Sequence, residues 1–262
     1  MRDIIDLDRF PLDRPQTAAW RGLVDQARAD LAAEGMYNLE GFLRPDALAA
    51  AVAEVRPVFD REAFTHARRH NIYFRKDLSD LPEGHGARAE FETRNRTICG
   101  DQMRDTVVMR LYEWPAFAAF LAATMDKPAL YTMDDPLARV NAMAYGEGDT
   151  LNWHFDRSEF TTTLLLQAPE AGGEFEYRTD LRSGDDPNFE GVARLLRGED
   201  PELKRMAVSP GTLNVFRGKN TAHRVAQVEG PRERIITVFS FYERPGVRFT
   251  AEEQLGFYGR AA

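Results

Sequence analysis

A succession of short strand-like segments in the second half of the chain restricts the fold more than any other feature of the sequence. From about residue 138 onward, apolar and polar residues alternate in short segments, which turns such as Gly172-Gly173 separate. The predicted strands cover residues 139–145, 151–156, 161–167, 174–177, 212–217, 223–228 and 234–242. Many short strands at regular spacing are typical of a double-sheet barrel.

The first third of the chain has the period of helices instead. Apolar residues recur every three or four positions over 17–34 and over 45–59, and Gly35 ends the first of these patterns. A third, shorter helix is predicted over 115–124, directly after Trp114. These helices are expected to pack against the barrel, because an amphipathic helix has to bury its apolar stripe.

We predict a single domain over residues 1–262, because no internal repeat, low-complexity stretch or flexible linker divides the chain. Within it, residues 1–135 are expected to form a helical N-terminal support region, 136–245 the barrel core, and 246–262 a loosely ordered C-terminal tail. Residues 179–208 interrupt the strands with many charges and one short predicted helix. This insertion is expected over one rim, either as a lid or as a solvated excursion.

Three residues of the predicted barrel form a candidate metal site. Side chains i and i+2 of a strand lie on one face, so that His154 and Asp156 of the His154-Phe155-Asp156 triplet can reach a common point. His223, much later in the chain, enters another predicted strand and completes a set of two histidines and one carboxylate. This set is the facial triad of non-haem Fe(II) oxygenases, which leaves coordination positions open for a cosubstrate and O2.

Each member of the set also has an ordinary structural explanation when it is taken alone. His223 would be a hydrogen-bonded core histidine, Asp156 a turn cap, and Arg234 a surface partner of Glu233 or Glu243. Their order along the chain and their common position at strand ends favour the metal site. The remaining histidines lack a matching carboxylate pattern and are given no functional role: His66, His70 and His85.

Arg234, on the last predicted strand, is the candidate for binding the carboxylate of a cosubstrate. By the period of two it projects inward, and its planar guanidinium matches the geometry of a carboxylate. Arg232, in the preceding turn, is the fallback. Inward polar residues on other strands are expected as further contacts, namely Tyr145 and Thr163, with Asn141 and Thr161 as additional candidates.

Three residues are candidate substrate contacts. Trp153 directly precedes the metal-binding triplet, and Arg157 follows it. If Arg157 lines the pocket it favours an anionic group, and otherwise it pairs at the surface with Glu159 or Asp149. Arg94, in the N-terminal half, would clamp a substrate carboxylate or lie in a solvated loop.

Composition excludes several classes of function. The net charge of −8 argues against a nucleic-acid scaffold and against a protein that binds anionic membranes. No apolar run approaches the ~20 residues of a membrane helix, and the acidic residues after Met1 do not fit a secretory leader. The single cysteine, Cys99, excludes an internal disulfide and fits a reducing compartment. We therefore expect a cytoplasmic protein without nucleic-acid or membrane partners.

Over about residues 138–243, the pattern of His154-Phe155-Asp156, His223 and Arg234 resembles the Fe(II)/2-oxoglutarate-dependent oxygenases. The resemblance implies a mainly β fold with N-terminal helices, whose core is a double-stranded β-helix (a jelly roll, cupin-like). It also implies that Fe(II) binds the three ligands, that 2-oxoglutarate chelates the iron, and that Arg234 holds its distal carboxylate. Such enzymes use O2 to convert 2-oxoglutarate into succinate and CO2 while they oxidise a substrate C–H bond.

A narrower resemblance concerns the free-amino-acid halogenases and their hydroxylating relatives. It is carried by Trp153-His154-Phe155-Asp156, by the segment from Phe160 to Gln167, and by Asn71-Ile72-Tyr73-Phe74. Halogenating members have a small residue where this chain has Asp156, and the missing carboxylate opens an iron position for chloride. The resemblance therefore implies a hydroxylase that acts on a small polar metabolite, most simply a free amino acid or a derivative of one.

Other functions stay open at this point. The same cosubstrate chemistry would serve desaturation or the hydroxylation of a peptidyl residue. A jelly roll that binds a ligand without turnover has no need of three metal ligands. A zinc hydrolase can use two histidines and a carboxylate, but it needs a general base near the metal and has no use for Arg234. The substrate and the oligomeric state are not determined by the sequence.

Overall fold

Two facing antiparallel sheets form the core of the computed structural model, which describes residues 1–262. In chain order the strands are β1 (Met36–Leu39), β2 (Phe64–Asn71), β3 (Glu90–Cys99), β4 (Tyr131–Thr132), β5 (Val140–Tyr145), β6 (Leu151–His154), β7 (Thr161–Gln167), β8 (Ala171–Gly172), β9 (Phe175–Arg178), β10 (Lys204–Met206), β11 (Leu213–Phe216), β12 (Ala222–Val225), β13 (Val228–Glu229), β14 (Arg234–Phe239) and β15 (Phe241–Tyr242). The major sheet has the order β1-β11-β7-β14-β5-β3-β2, and the minor sheet has the order β10-β9-β12-β6. Two short pairs, β13-β8 and β15-β4, complete the strands.

Six α-helices surround the sheets. They are α1 (Ala18–Glu34), α2 (Pro45–Glu62), α3 (Val107–Tyr112), α4 (Pro115–Thr124), α5 (Phe189–Leu196) and α6 (Ala251–Tyr258). The ends of α1 show how the sequence sets its length, because the Thr17 hydroxyl caps the first turn by accepting the Trp20 N–H, and Gly35 ends the helix with φ 76°. None of the helices combines the length and the apolar character that crossing a bilayer requires.

The two faces of the major sheet have different roles. Alternate residues such as Val140, Ala142 and Ala144 of β5 lie in the largest apolar cluster of the protein, together with the buried sides of α1, α2 and α4. The other face of β5 looks toward the minor sheet. On this inner face the two sheets are in contact through Phe216 of β11 and Phe175 of β9, whose ring centres lie 5.2 Å apart. The helices therefore stabilise one face, while the other is free to carry polar groups.

The jelly-roll fold and its main strands are as predicted. Each of the seven predicted strands contains one of the observed strands or overlaps it, and helices were predicted correctly at α1, α2, α4 and α5. In the insertion at 179–208, α5 packs against the outside of the minor sheet, in an apolar cluster with Trp153 and Phe155. In addition, β10 of the insertion extends the minor sheet by pairing with β9.

The expectation that residues 1–135 are a helical support region was wrong in one respect. This region also supplies β1, β2 and β3, which form both edges of the major sheet. The error arose because the buried positions of β3 are mainly Thr93, Asn95 and Thr97, and because β2 is mostly exposed. Neither strand shows the apolar alternation by which strands are predicted.

The expectation of a loosely ordered tail at 246–262 was also wrong. Residues 251–258 form α6, which begins with a capping box between Thr250 and Glu253. The buried carboxylate of Asp135 holds this segment to the barrel by accepting the Phe249 N–H at 3.0 Å and the Gln254 Nε2–H at 2.7 Å. It also accepts two backbone N–H groups of its own turn, at residues 137 and 138. A tertiary anchor of this kind has no local sequence signal.

Replacing Asp135 by alanine should lower the free energy of unfolding by about 3 kcal/mol, because four buried donors lose their acceptor. Burial alone would raise the pKa of Asp135, but these hydrogen bonds outweigh it and lower the pKa below its ordinary value. The carboxylate therefore stabilises the fold fully above pH ~4, and the contribution is lost as the pH falls through the lower pKa of the folded state. Urea unfolding of Asp135→Ala against Asp134→Ala, whose side chain is exposed, measures the effect. Equal losses in both variants would contradict the anchor.

Candidate metal centre

The pairing of two strands brings the predicted metal ligands together. His154 is the last residue of β6, and His223 lies on β12 directly opposite to it in the antiparallel register. The centres of the two imidazole rings are 4.1 Å apart. Asp156 follows His154 by two residues, and its backbone N–H is bound to the Gly218 carbonyl at 3.0 Å. The three side chains thus meet between the strand ends of the minor sheet.

The distances within the group fit one metal ion. Nε2 of His154 lies 3.3 Å from Oδ1 of Asp156, and Nε2 of His223 lies 3.5 Å from Oδ2 of Asp156. All three candidate ligand atoms lie within 4.8 Å of one another. Ligand atoms about 2.1 Å from an ion and at right angles are about 3 Å apart. The group is therefore arranged as a facial set of three ligands.

Backbone carbonyl groups fix the orientation of both imidazoles. Nδ1 of His154 donates to the Asn152 carbonyl at 2.8 Å, and Nδ1 of His223 donates to the Thr221 carbonyl at 3.0 Å. Because Nδ1 of each ring is bound to a carbonyl group, Nε2 is the ring atom that faces Asp156 and is left to bind a metal ion. Burial, together with the neighbouring His223, lowers the pKa of His154 and favours its neutral, metal-binding form.

Asp156 is held as an ionised ligand. Burial alone would raise its pKa, but the two histidines outweigh burial and hold the pKa well below its ordinary value. The Thr161 hydroxyl donates to Oδ2 of the same carboxylate at 2.5 Å. A glycine at position 218 makes the space, since a Cβ atom there would lie 2.2 Å from Oδ2 of Asp156.

Arg234 is buried without a partner for its charge. The residue is 3% exposed, its Nη1 has no hydrogen-bond acceptor, and its guanidinium carbon lies 6.0 Å from the centre of the Tyr145 ring. Burial lowers the pKa of Arg234 to about 10, so that the group is still charged at neutral pH. A buried charge is costly unless it is paired. The site thus lacks an anion, and a planar carboxylate matches the donors of Arg234.

Other predicted cosubstrate contacts fall into two groups. Tyr145 pairs with Arg234 in the register of β5 and β14, and Thr163 lies on the same face of the major sheet, with its hydroxyl 3.5 Å from Oδ1 of Asn214. Both therefore belong to the interior. Arg232, the fallback for Arg234, is exposed and donates to the Pro169 carbonyl at 3.0 Å. Its position gives it no access to the interior.

Two predicted substrate contacts point away from the metal centre. Trp153 lies on the opposite face of β6 from His154, inside the outer apolar cluster and 4.9 Å from the guanidinium carbon of Arg224. Arg94 lies on the outer face of β3, where its side chain is 62% exposed and 3.6 Å from Asp149. Both predictions were wrong: Trp153 because neighbouring residues of a strand face opposite sides, and Arg94 because its segment is a strand whose interior face carries Thr93 and Asn95 instead.

Arg157 is exposed and is held by the C-terminal helix. Its Nη1 lies 3.1 Å from Oε1 of Glu253, and its guanidinium carbon lies 5.9 Å from the centre of the Phe257 ring. The surface pair considered from the sequence thus exists, but with Glu253 of α6 instead of Glu159 or Asp149. A contact between Arg157 and substrate stays a prediction.

Sequence reasoning missed two residues that adjoin the metal ligands. Phe74 packs edge-on against His154, with ring centres 5.9 Å apart, and it stacks on His70 at 4.3 Å. His70 is buried, and its Nε2 is hydrogen-bonded to the Thr93 hydroxyl at 2.9 Å. The only available signal was the resemblance of residues 71–74 to the amino-acid halogenase group, which named no role for Phe74.

Comparisons with known proteins agree with this architecture. Residues 20–253 match the family model described as Halogenase D. Among solved structures, AviO1 from Streptomyces viridochromogenes is 17% identical, with 83% of this chain and 93% of that chain covered and a TM-score of 0.56. HygX from Streptomyces hygroscopicus, solved with nickel, 2-oxoglutarate and hygromycin B bound, is 13% identical over 82% and 86%, with a TM-score of 0.56.

A Pseudomonas putida prolyl-4-hydroxylase is 16% identical, with 85% of this chain and 100% of that chain covered and a TM-score of 0.52. No curated protein sequence matches the chain. At these identities, the structural similarity shows the fold, while the family match covers most of the sequence.

Replacing Gly218 by alanine should weaken metal binding about 10- to 100-fold, the range expected when the support of a ligand is disturbed. The new Cβ has to displace Asp156, and Gly218 has no left-handed backbone that alanine would strain. Anaerobic titration with Fe(II) measures the affinity. Gly184→Ala is the matched control, because a Cβ at position 184 meets nothing within 4 Å. An unchanged affinity in Gly218→Ala would exclude Asp156 as a fixed ligand.

Proposed function

The chain belongs to the Halogenase D family, within the superfamily of Fe(II)/2-oxoglutarate oxygenases, and we propose that it hydroxylates an unactivated C–H bond of a free amino acid or a close derivative. The observation that carries the proposal is the convergence of His154, His223 and an intact carboxylate, Asp156, on one point. A facial set of this composition is the ligand set of non-haem Fe(II) oxygenases.

The residues of the centre fit Fe(II) and 2-oxoglutarate. His154, Asp156 and His223 would hold the metal, and Arg234, with Tyr145 opposite it on β5, would hold the distal carboxylate of 2-oxoglutarate. Thr163 lies further along the same face, opposite Val238, and its contact with 2-oxoglutarate stays a prediction. The unpaired buried guanidinium supports this assignment, as do nickel and 2-oxoglutarate in HygX. When bound, the metal and its cosubstrate supply the activation of O2, with 2-oxoglutarate converted into succinate and CO2.

The protein's own part is to position the reactants and to exclude water. The hydrogen bonds at Nδ1 of both histidines keep each Nε2 directed at the metal position. Thr161 and the space at Gly218 keep the carboxylate of Asp156 in place. Arg234 orients the cosubstrate by charge and by its two parallel donors. The apolar rings of Phe175 and Phe216, which pack on His223, shield that ligand from solvent.

Hydroxylation is favoured over halogenation because Asp156 fills the position that a halide would need. In the halogenases that this chain resembles, a small residue stands in place of the aspartate. Here the aspartate is present, ionised and hydrogen-bonded by Thr161. An anion such as chloride would have to displace this carboxylate or compete with it at the same face of the metal.

Anaerobic addition of Fe(II) and 2-oxoglutarate should give the weak visible metal-to-ligand charge-transfer band of a chelated 2-oxo acid. His223→Ala should abolish the band, because one of three ligands is lost. Arg234→Ala should raise the 2-oxoglutarate concentration needed for the half-maximal band about 10- to 100-fold, since a charged hydrogen-bonded pair is lost. Arg232→Ala, at the exposed neighbouring arginine, is the control. Absence of the band in folded, iron-loaded protein would exclude the proposed cosubstrate.

Turnover with chloride in excess should give a hydroxylated product and no chlorinated product in the wild-type protein. Asp156→Gly should lose hydroxylation, while Thr161→Val should keep hydroxylation at a reduced rate, because the carboxylate remains but is less firmly held. Mass spectrometry of the product mixture distinguishes the two reactions. A chlorinated product from the wild-type protein would overturn the proposal that Asp156 excludes halide.

A further inference from the structure

Strands β2 and β3 carry a polar face on the side of the metal centre. Residues that lie opposite each other in an antiparallel pair share one face of the sheet. The pairs on this face are His66–Asn95, Arg68–Thr93 and His70–Phe91. The Thr93 hydroxyl is bound to Nε2 of His70 and accepts the Asn152 N–H, both at 2.9 Å. Because Asn152 lies two residues before His154 on β6, this face adjoins the metal ligands.

Arg68 gives the face a positive charge that nothing in the protein neutralises. Its guanidinium makes no ion pair and no hydrogen bond, and the guanidinium carbon lies 4.8 Å from the centre of the Phe74 ring. The two acidic residues of β3, Glu90 and Glu92, lie on the opposite face. There Glu90 is paired with the neighbouring arginine, Arg69, at 3.0 Å. The donors of Arg68 are thus available in a protein whose net charge is −8.

Phe74 links Arg68 to the metal centre. Its ring is 37% exposed, although it stacks on His70 and packs edge-on against His154. Its φ of 54° lies in the left-handed region, which is an outlier for a bulky residue. The turn is held in this shape by Asn71, whose Oδ1 accepts two backbone N–H groups, at residues 73 and 75. Strain of this kind beside a reactive centre is typical of a residue that contacts a ligand.

We propose that Arg68 binds the carboxylate of the substrate and that Phe74 supports its carbon chain. Arg68 and His154 both contact the Phe74 ring, so that a positive, anion-binding group lies one aromatic ring away from a metal ligand. A guanidinium binds a carboxylate through two parallel donors, and the exposed part of the Phe74 ring offers an apolar surface to methylene groups. The subsite therefore selects a substrate with a free carboxylate joined to an aliphatic chain. This inference rests on the proposed function and deepens it, because it names the substrate group that the site recognises.

Two matched variants test the subsite. Arg68→Gln removes the charge on the metal side of β2, and Arg69→Gln removes the same charge from the outer face. The probes are the common L-amino acids, screened for stimulation of succinate release, each active one compared with its carboxamide. Arg68→Gln should raise the KM for the active amino acid about 10- to 100-fold, because a charged hydrogen-bonded pair is lost. It should also lose the preference for the acid over the amide, while Arg69→Gln stays like the wild-type protein.

Two further readouts separate the possible failures. The charge-transfer band of Fe(II) and 2-oxoglutarate should be unchanged in Arg68→Gln, and Arg68→Lys, which keeps the charge but not the planar donors, should lose less affinity. A wild-type KM in Arg68→Gln overturns the subsite. So does a wild-type protein that shows the band but is stimulated by no amino acid, or by acid and amide equally. Loss of the band in the wild-type protein is a failure of the proposed function itself.

Discussion

The register between β6 and β12 is the constraint on which the centre depends. It sets His154 directly opposite His223, although the two residues belong to distant parts of the chain. A shift by one residue would turn one imidazole to the outer face of the sheet, where Trp153 and Arg224 now lie. On that outer face Trp153 packs in an apolar cluster with α5, and Arg224 is ion-paired with Glu176. Side chains on both faces of these strands therefore favour the same register. The candidate metal ligands meet on the inner face, and Trp153 is buried on the outer face.

The polar interior is possible because the stability of the fold is supplied elsewhere. The largest apolar cluster lies between the other face of the major sheet and the N-terminal helices. The central strands β5, β7 and β14 therefore contribute apolar side chains to one layer and polar side chains to the other. In the interior between the sheets, the carboxylate of Asp156 has the two histidines as partners, whereas one buried charge has none. The exception is Arg234, and its unpaired state points to a ligand that supplies the anion.

The sequence predicted those parts whose signal is local. The spacing of His154 and Asp156 fixes their common face, and β5, β7 and β14 alternate because their outer sides meet the helices. Prediction failed where tertiary contacts decide the outcome. The polar strands β2 and β3 have no apolar side to reveal them, and α6 is held by the distant carboxylate of Asp135. Trp153 was assigned by closeness in sequence to His154, although neighbours on a strand face opposite ways, and Arg94 was considered without knowing that its segment is the strand β3.

The choice between hydroxylation and halogenation involves position 156 together with its two neighbours in space, Thr161 and Gly218. Asp156 occupies the space that Gly218 leaves, and it accepts the hydroxyl of Thr161. If the carboxylate were removed alone, a cavity would remain next to Gly218, and the Thr161 hydroxyl would lose its acceptor. A halide at that position would be smaller than the carboxylate and would not be tied to the backbone of residue 156. A change of reaction therefore requires the loop at Gly218 and the start of β7 to adapt together with residue 156.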